Sequence, residues 1–200
     1  ENYILEEPLG PSLGIQAQLP VLLGEYAFHS TRDLSDYLKL LGTIQPYFHS
    51  ILRFEEKKSQ AGLFMSDATL DRILTQCRSF IRDPNSNYMD ELFAQRLKTF
   101  GKLTEKELNH LLTFHHQLIT KQVIPAYQEL IDGLEKLRGT GKTSRGLAYF
   151  PGGREYYQYL LRIQTGSYVP VKQIQKRLSD QLLTDFRQIK ALIQTDSSLV

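Results

Sequence analysis

The segment from Gly139 to Gly166 contains two groups of residues whose types and spacing suggest chemistry. The first, Gly139-Thr140-Gly141-Lys142-Thr143, is similar to a phosphate-binding loop, in which backbone amides and a lysine hold a nucleotide. That loop needs a glycine at position 136, where this chain has Lys136, and a strand before it, where the sequence predicts a long helix. We therefore interpret Gly139 as the end of that helix, followed by a flexible loop.

The second group is rich in tyrosine and arginine. Tyr149 precedes Pro151-Gly152-Gly153, which permits a sharp turn before a helix. In one interpretation the tyrosines of this helix pack internally and its arginines meet solvent. In the other, hydroxyl and guanidinium groups converge on a cleft, where arginine binds a carboxylate with two parallel hydrogen bonds. The predicted substrate contacts are then Tyr149, Arg154, Tyr156, Tyr157 and Arg162.

Metal and nucleophile signals are weak along the rest of the chain. No histidine pair has the four-residue spacing of a helical zinc site. His115 lies on an apolar stripe and is predicted to be buried and hydrogen-bonded, whereas His110 and His116 are expected in solvent. Cys77 also lies on an apolar stripe, which predicts a buried, unreactive thiol. No local pattern predicts a catalytic residue or a metal ligand, and a site assembled from distant helices stays open.

Length, charge and cysteine content exclude several classes. The 200 residues suffice for one sizeable domain. The formal net charge is +2 and the basic residues are scattered, so no nucleic-acid-binding surface is predicted. One cysteine excludes an internal disulfide framework, and no apolar run approaches membrane-spanning length. We expect a soluble protein, cytoplasmic or, if a signal precedes it, exported.

The elements that must position these residues are helices. Capping residues, helix-stopping glycines and apolar stripes predict seven helices over about 30–41, 46–60, 66–83, 87–100, 104–138, 153–165 and from 170 onward. The fifth contains Pro125, which removes a backbone hydrogen bond, so we expect a kink or break near Ile124. Residues 1–28 contain three prolines and three glycines and are predicted to be irregular, with at most one helical turn around Pro20.

These signals predict an all-α fold, an irregular bundle in a single domain over residues 1–200. Within it we expect an irregular segment over 1–28, helices over 29–138, a loop over 139–152 and two helices over 153–200. The last helix has the clearest apolar stripe, formed by Val171, Ile174, Leu178, Leu182, Phe186, Ile189 and Ile193. If the chain is an excerpt of a longer protein, helices built to pack against missing neighbours leave an apolar surface uncovered, and we expect self-association or swapped packing.

A family resemblance extends over most of the chain, from about Gly10 to Ile174. The ordered motifs resemble those of the bacterial family called domain of unknown function 885. They are Gly14-Ile15-Gln16-Ala17-Gln18-Leu19-Pro20, Tyr47-Phe48, Gly62-Leu63-Phe64-Met65-Ser66, Val123-Ile124-Pro125-Ala126-Tyr127, Gly153-Arg154-Glu155-Tyr156-Tyr157 and Thr165-Gly166.

The resemblance implies a helical part of a zinc-metallopeptidase-like protein. The family's hallmark, a His-Glu segment closing with Pro-Gly-His, lies beyond the matched region and is not found in this sequence. The chain is then expected to be a helical scaffold and a wall of the substrate cleft, inactive alone. It would hold no cofactor itself, zinc would belong to the full-length parent, and its partners would be the rest of that polypeptide and a peptide substrate. The alternative is a stand-alone helical protein-interaction module.

Overall fold

The protein is all-helical in a computed structural model that describes residues 3–195. Over these residues there is no strand, which confirms the predicted all-α class. The helices are α1 (Ile15–Gly24), α2 (Thr31–Gly42), α3 (Ile44–Gln60), α4 (Asp67–Ile81), α5 (Tyr88–Phe100), α6 (Glu105–Leu118), α7 (Ile124–Lys136), α8 (Gly153–Thr165) and α9 (Val171–Thr195). None of them is both long enough and apolar enough to cross a membrane.

The chain divides into two compact units, residues 1–146 and 147–200, whereas we expected one domain. The division falls inside the loop predicted over 139–152. Unit 1 contains α1 to α7 and unit 2 contains α8 and α9. The hydrophobic core lies in unit 1, where the largest fully buried side chains are Leu41, Phe48, Phe64, Leu70, Ile73, Leu74, Met89, Phe93, Leu97, Ile119, Tyr127 and Leu130.

Helix ends follow the predicted capping chemistry closely. The Ser30 hydroxyl accepts from the Asp33 amide, while the Asp33 carboxylate accepts from the Ser30 amide at 2.8 Å. Thr104 and Glu107 form the same reciprocal pair at the start of α6. Gly101 ends α5 with φ 64°, a left-handed conformation that favours glycine. Short-range signals therefore define these boundaries.

The predicted break in the fifth helix is confirmed. α6 and α7 are joined by a π-helical segment, Ile119–Val123, in which the Ile124 amide donates to the Ile119 carbonyl five residues earlier. The cause is Pro125, which has no amide hydrogen to donate to Lys121 and whose ring crowds that carbonyl. The wider turn accommodates the proline, and the chain continues as a helix from α6 into α7.

The irregular interpretation of residues 1–28 was wrong over Ile15–Gly24, which forms α1. Pro20 lies inside this helix and leaves the Gln16 carbonyl without its intrahelical donor. The Tyr127 hydroxyl supplies the missing hydrogen bond at 2.7 Å. A tertiary contact from α7 thus compensates the proline, and no local pattern could have shown it.

Unit 2 depends on glycines at two turns. Gly152 has φ 70° before α8, and Gly166 has φ 62° after it. A side chain at Gly153 would overlap the Leu147 carbonyl, so only glycine lets α8 begin this close to the preceding 3-10 turn, Leu147–Tyr149. The Pro-Gly-Gly motif therefore fixes where the exposed side chains of α8 start.

Candidate functional site

The five predicted substrate contacts all lie in unit 2, and four of them are exposed. Tyr149 ends the 3-10 turn, while Arg154, Tyr157 and Arg162 project from α8 to solvent. Tyr156 is buried instead, and its ring centroid lies 6.0 Å from that of its helical neighbour Tyr159. The segment thus combines the two interpretations: one tyrosine packs internally and the other four side chains face solvent.

Arg162 lines a cavity of about 360 Å³ between the end of α8 and the start of α9. Its guanidinium carbon lies 5.4 Å from the ring centroid of Tyr168, a cation–π arrangement that leaves the guanidinium edge available for hydrogen bonds. Gln158 and Ser167 also line this cavity, and the other four predicted contacts do not. The sequence interpretation missed Tyr168, which reaches Arg162 only because Gly166 turns the chain.

The apolar stripe of α9 is exposed from Leu178 to Ile193, while its first two side chains, Val171 and Ile174, are half-buried. No residue of α9 within the described range is buried. Large side chains at least 39% exposed are Leu178, Leu182, Leu183, Phe186, Ile189, Leu192 and Ile193. A regular 25-residue helix with this many exposed apolar side chains is typical of a surface that packs against another polypeptide.

Hydrogen bonds within unit 1 hold the glycine-lysine loop, residues 139–143. The Lys142 amide donates to the Gly62 carbonyl at 3.0 Å, and the Gly139 amide donates to the Asp67 carboxylate at 3.1 Å. A side chain at Gly141 would overlap the Phe64 carbonyl. These amides hold the loop against the start of α4 instead of facing a phosphate, and this part of the loop is fixed where we expected flexibility.

A polar cluster joins α2, α5 and α6 inside unit 1. His115 is fully buried, which confirms its predicted place, and its Nε2 lies 3.1 Å from the Tyr37 hydroxyl. Its Nδ1 lies 2.6 Å from Asp90 Oδ1, and Nδ1 of His116 lies 2.9 Å from Asp90 Oδ2. Adjacent histidines therefore hold the two oxygens of one carboxylate. His116, expected in solvent, keeps 41% of its side chain exposed.

The imidazole of His115 is also held by aromatic stacking. The ring centroids of His115 and Phe93 lie 4.1 Å apart at an interplanar angle of 9°, and Tyr37 lies at 5.8 Å and 7°. Burial raises the pKa of Asp90, but hydrogen bonds from His115 and His116 outweigh it and hold the pKa below its usual range. The buried Tyr37 hydroxyl does not reach solvent, so the cluster is suited to holding three helices together.

Two buried side chains have strongly shifted pKa values. Cys77 is buried as predicted, and burial raises the pKa of its thiol to about 12. Burial also raises the pKa of Glu55 to about 7, against the opposing effect of Lys58, whose Nζ lies 3.8 Å away. Lys58 donates to the Glu6 carbonyl at 2.9 Å, and neither carboxylate oxygen of Glu55 accepts a hydrogen bond from the described residues. The Lys58 hydrogen bond ties α3 to the N-terminal segment.

Among residues 3–195, no group of three or more His, Cys, Asp or Glu side chains could hold a metal ion. The largest cavity described in unit 1, about 960 Å³, is an open groove between α3 and α7. Six ionisable side chains line it: His49, Arg53, Glu56, Glu129, Asp132 and Lys136.

The fold is that of a helical-bundle protein, and its motifs place it in a bacterial family. Residues 3–196 match the family described as "Bacterial protein of unknown function (DUF885)". The chain belongs to this family, which confirms the resemblance found in its motifs.

A solved structure shares the fold. It is described as "putative lipoprotein from Colwellia psychrerythraea" and superposes with a TM-score of 0.83 at 17% sequence identity. The match covers 94% of this chain and 32% of that one, so the present chain spans about a third of the length of that protein. No curated protein matches the chain.

Proposed function

We propose that this chain is the helical scaffold of a longer zinc-metallopeptidase-like protein and that α8 forms part of the wall of its peptide-binding cleft. The chain is not catalytic by itself in this proposal, and zinc belongs to the rest of the polypeptide. Family membership and the resemblance of the ordered motifs support it.

The observation that carries the scaffold role is the exposed stripe of α9. Fully burying one Leu, Ile or Phe contributes about 1.5–3 kcal/mol, so covering these half-exposed side chains is worth about 1 kcal/mol each. Seven such side chains give about 7 kcal/mol. This offsets part of the entropy cost of ordering a neighbouring helix, which also buries its own apolar side chains in the contact. The occupant we propose is a further helical segment of the same longer protein.

The cleft-wall role rests on the exposed side of α8. Arg162 presents a guanidinium edge beside Tyr168, a geometry suited to a substrate carboxylate, with Arg154 and Tyr157 exposed on the same helix. The buried Tyr156 positions α8, while Tyr149 extends the exposed aromatic surface beyond the Pro-Gly-Gly turn. The proposed ligand is a peptide with a free carboxylate.

Peptide turnover by the longer protein that contains this chain tests the proposal. Arg162→Ala is expected to raise KM about tenfold for peptides with a free C-terminus and much less for C-terminally amidated ones, because one charge-assisted contact is lost. Arg154→Ala and Tyr157→Phe are expected to give smaller losses, and Arg187→Ala on α9 is the matched surface control. Unchanged turnover in all three α8 variants, with normal folding, would remove this helix from the cleft.

The stand-alone interaction module is the second candidate, because the same exposed stripe also fits a separate partner. Sedimentation of the 200-residue chain with Phe186→Glu, and with Thr184→Glu as control, measures whether the stripe drives self-association. Hydrogen–deuterium exchange of the longer protein distinguishes the scaffold from the stand-alone module. If the α9 amides exchange equally fast in the longer protein and in this chain, the scaffold proposal fails.

A further inference from the structure

A second cavity of unit 1, of about 450 Å³, lies where α1, the end of α4 and the start of α5 meet. Its volume is within the range of about 300–1,000 Å³ typical of small-molecule pockets. It shares no residue with α8 or α9, so a ligand bound there would be independent of the proposed cleft wall.

Carboxamides form the fixed part of its wall. Gln16 is 3% exposed, and its Nε2 donates to the Gly10 carbonyl at 2.6 Å and to Gln76 Oε1 at 2.9 Å. Asn87 is equally buried: it donates to the Phe80 carbonyl at 3.0 Å and accepts from the Met89 amide at 3.0 Å. Each amide oxygen has two lone pairs, so these rigid groups retain capacity to accept from a ligand.

Four further polar side chains of the lining are exposed and can contact a ligand. They are Ser79, Arg82, Ser86 and Tyr88. The hydroxyls both donate and accept, and the guanidinium donates. A pocket that combines buried, fixed amides with exposed hydroxyls can bind a ligand with several donor and acceptor groups.

Charge and aromatic rings narrow the ligand class. Arg82 and Asp83 are the charged residues of the lining, and their charges cancel. The rings of Phe80 and Tyr88 meet edge to face, with centroids 5.8 Å apart at 75°, and offer an apolar surface beside the polar wall. An anionic ligand would be attracted by the Arg82 guanidinium but repelled by the Asp83 carboxylate. A sugar ring has hydroxyls at its edge and C–H groups on its face, which matches this lining.

We propose that the cavity between α1, α4 and α5 is a binding site for an uncharged carbohydrate. Amide and hydroxyl groups bind its hydroxyls, and the aromatic pair packs against its ring. Nothing in this site requires a metal ion or a partner chain.

Saturation-transfer NMR on the 200-residue chain tests the proposal with methyl β-glucoside and N-acetylglucosamine as neutral probes. Glucose 6-phosphate and inorganic phosphate are the charged comparisons. We expect saturation of the ring C–H protons of at least one neutral sugar, and a loss of about tenfold in affinity in Tyr88→Ala. Ser79→Ala is expected to weaken binding less. Tyr47→Ala, which removes a tyrosine of similar exposure on α3, is expected to bind like the unaltered chain.

Three results would overturn the proposal. They are no saturation of any neutral sugar, equal binding by Tyr88→Ala and the unaltered chain, or tighter binding of phosphate than of the neutral sugars. Tyr88 is 43% exposed, so its removal leaves the core intact, and circular dichroism verifies the fold of each variant.

Discussion

Replacing His115 by phenylalanine would measure what the buried polar cluster contributes to stability. Phenylalanine keeps the ring volume and the stacking on Phe93, whose centroid lies 4.1 Å away, so little cavity term is expected. The substitution removes the contact to Asp90 at 2.6 Å and the contact to the Tyr37 hydroxyl at 3.1 Å. The first involves a charged group and contributes about 1.5–3 kcal/mol, and the second about 0.5–1.5 kcal/mol. We expect His115→Phe to lower the free energy of unfolding by about 2–4 kcal/mol.

His116→Phe is the matched control, because His116 bonds the other oxygen of the same carboxylate from a position 41% exposed. Solvent competes for that contact, so its loss is expected to cost below about 1 kcal/mol. Urea unfolding of the two variants and the unaltered chain gives both values, provided that the slopes with denaturant agree. Equal stabilities of His115→Phe and His116→Phe would refute the assignment of the stabilising contribution to the buried contacts.

Three further predictions concern unit 1. The folded pKa of Glu55 is raised from 4.5 to about 7, so its contribution to stability is complete below pH 4.5 and is lost as pH rises through 7. The free energy of unfolding is therefore expected to fall by about 3 kcal/mol as pH rises through this range, and Glu55→Gln is expected to abolish the fall. The same fall in the Glu55→Gln variant would contradict this prediction. The folded pKa of Asp90 is lowered from 3.8, so its contribution is present above that pH and is lost on acidification; Asp90→Asn is expected to flatten the acid limb. Gly141→Ala is expected to cost about 1–3 kcal/mol because its Cβ meets the Phe64 carbonyl, whereas Ser144→Ala should leave the melting temperature unchanged.

Local chemistry made much of the fold predictable from the sequence. Ser30 and Thr104 cap helices because their hydroxyls reach amides three residues ahead, and Gly101 ends one because it adopts positive φ. The change of helix geometry before Pro125 was predictable because proline has no amide hydrogen to donate to the carbonyl four residues earlier. By contrast, α1 was missed because its proline is compensated by Tyr127, which is 111 residues away from the carbonyl it bonds.

The candidate sites show the same limit. The burial of His115 followed from its apolar stripe, but its carboxylate partner Asp90 comes from another helix and has no sequence signal. Tyr168 meets Arg162 through a turn whose direction depends on Gly166. The cavity beside Gln16 requires three separate segments to converge, which only the packed structure defines.

The wide turn at Ile119–Val123 has a consequence for how this region tolerates insertions and deletions. A π-helical turn holds one residue more than an α-helical turn, so this segment takes up one extra residue without rotating the helix that follows it. Leu130 and Leu134, both fully buried, therefore keep their direction into the core on either side of such a length change. A related chain without a proline at position 125 is therefore expected to be able to close this segment as a regular α-helix that is one residue shorter between His115 and Tyr127, with the same buried face.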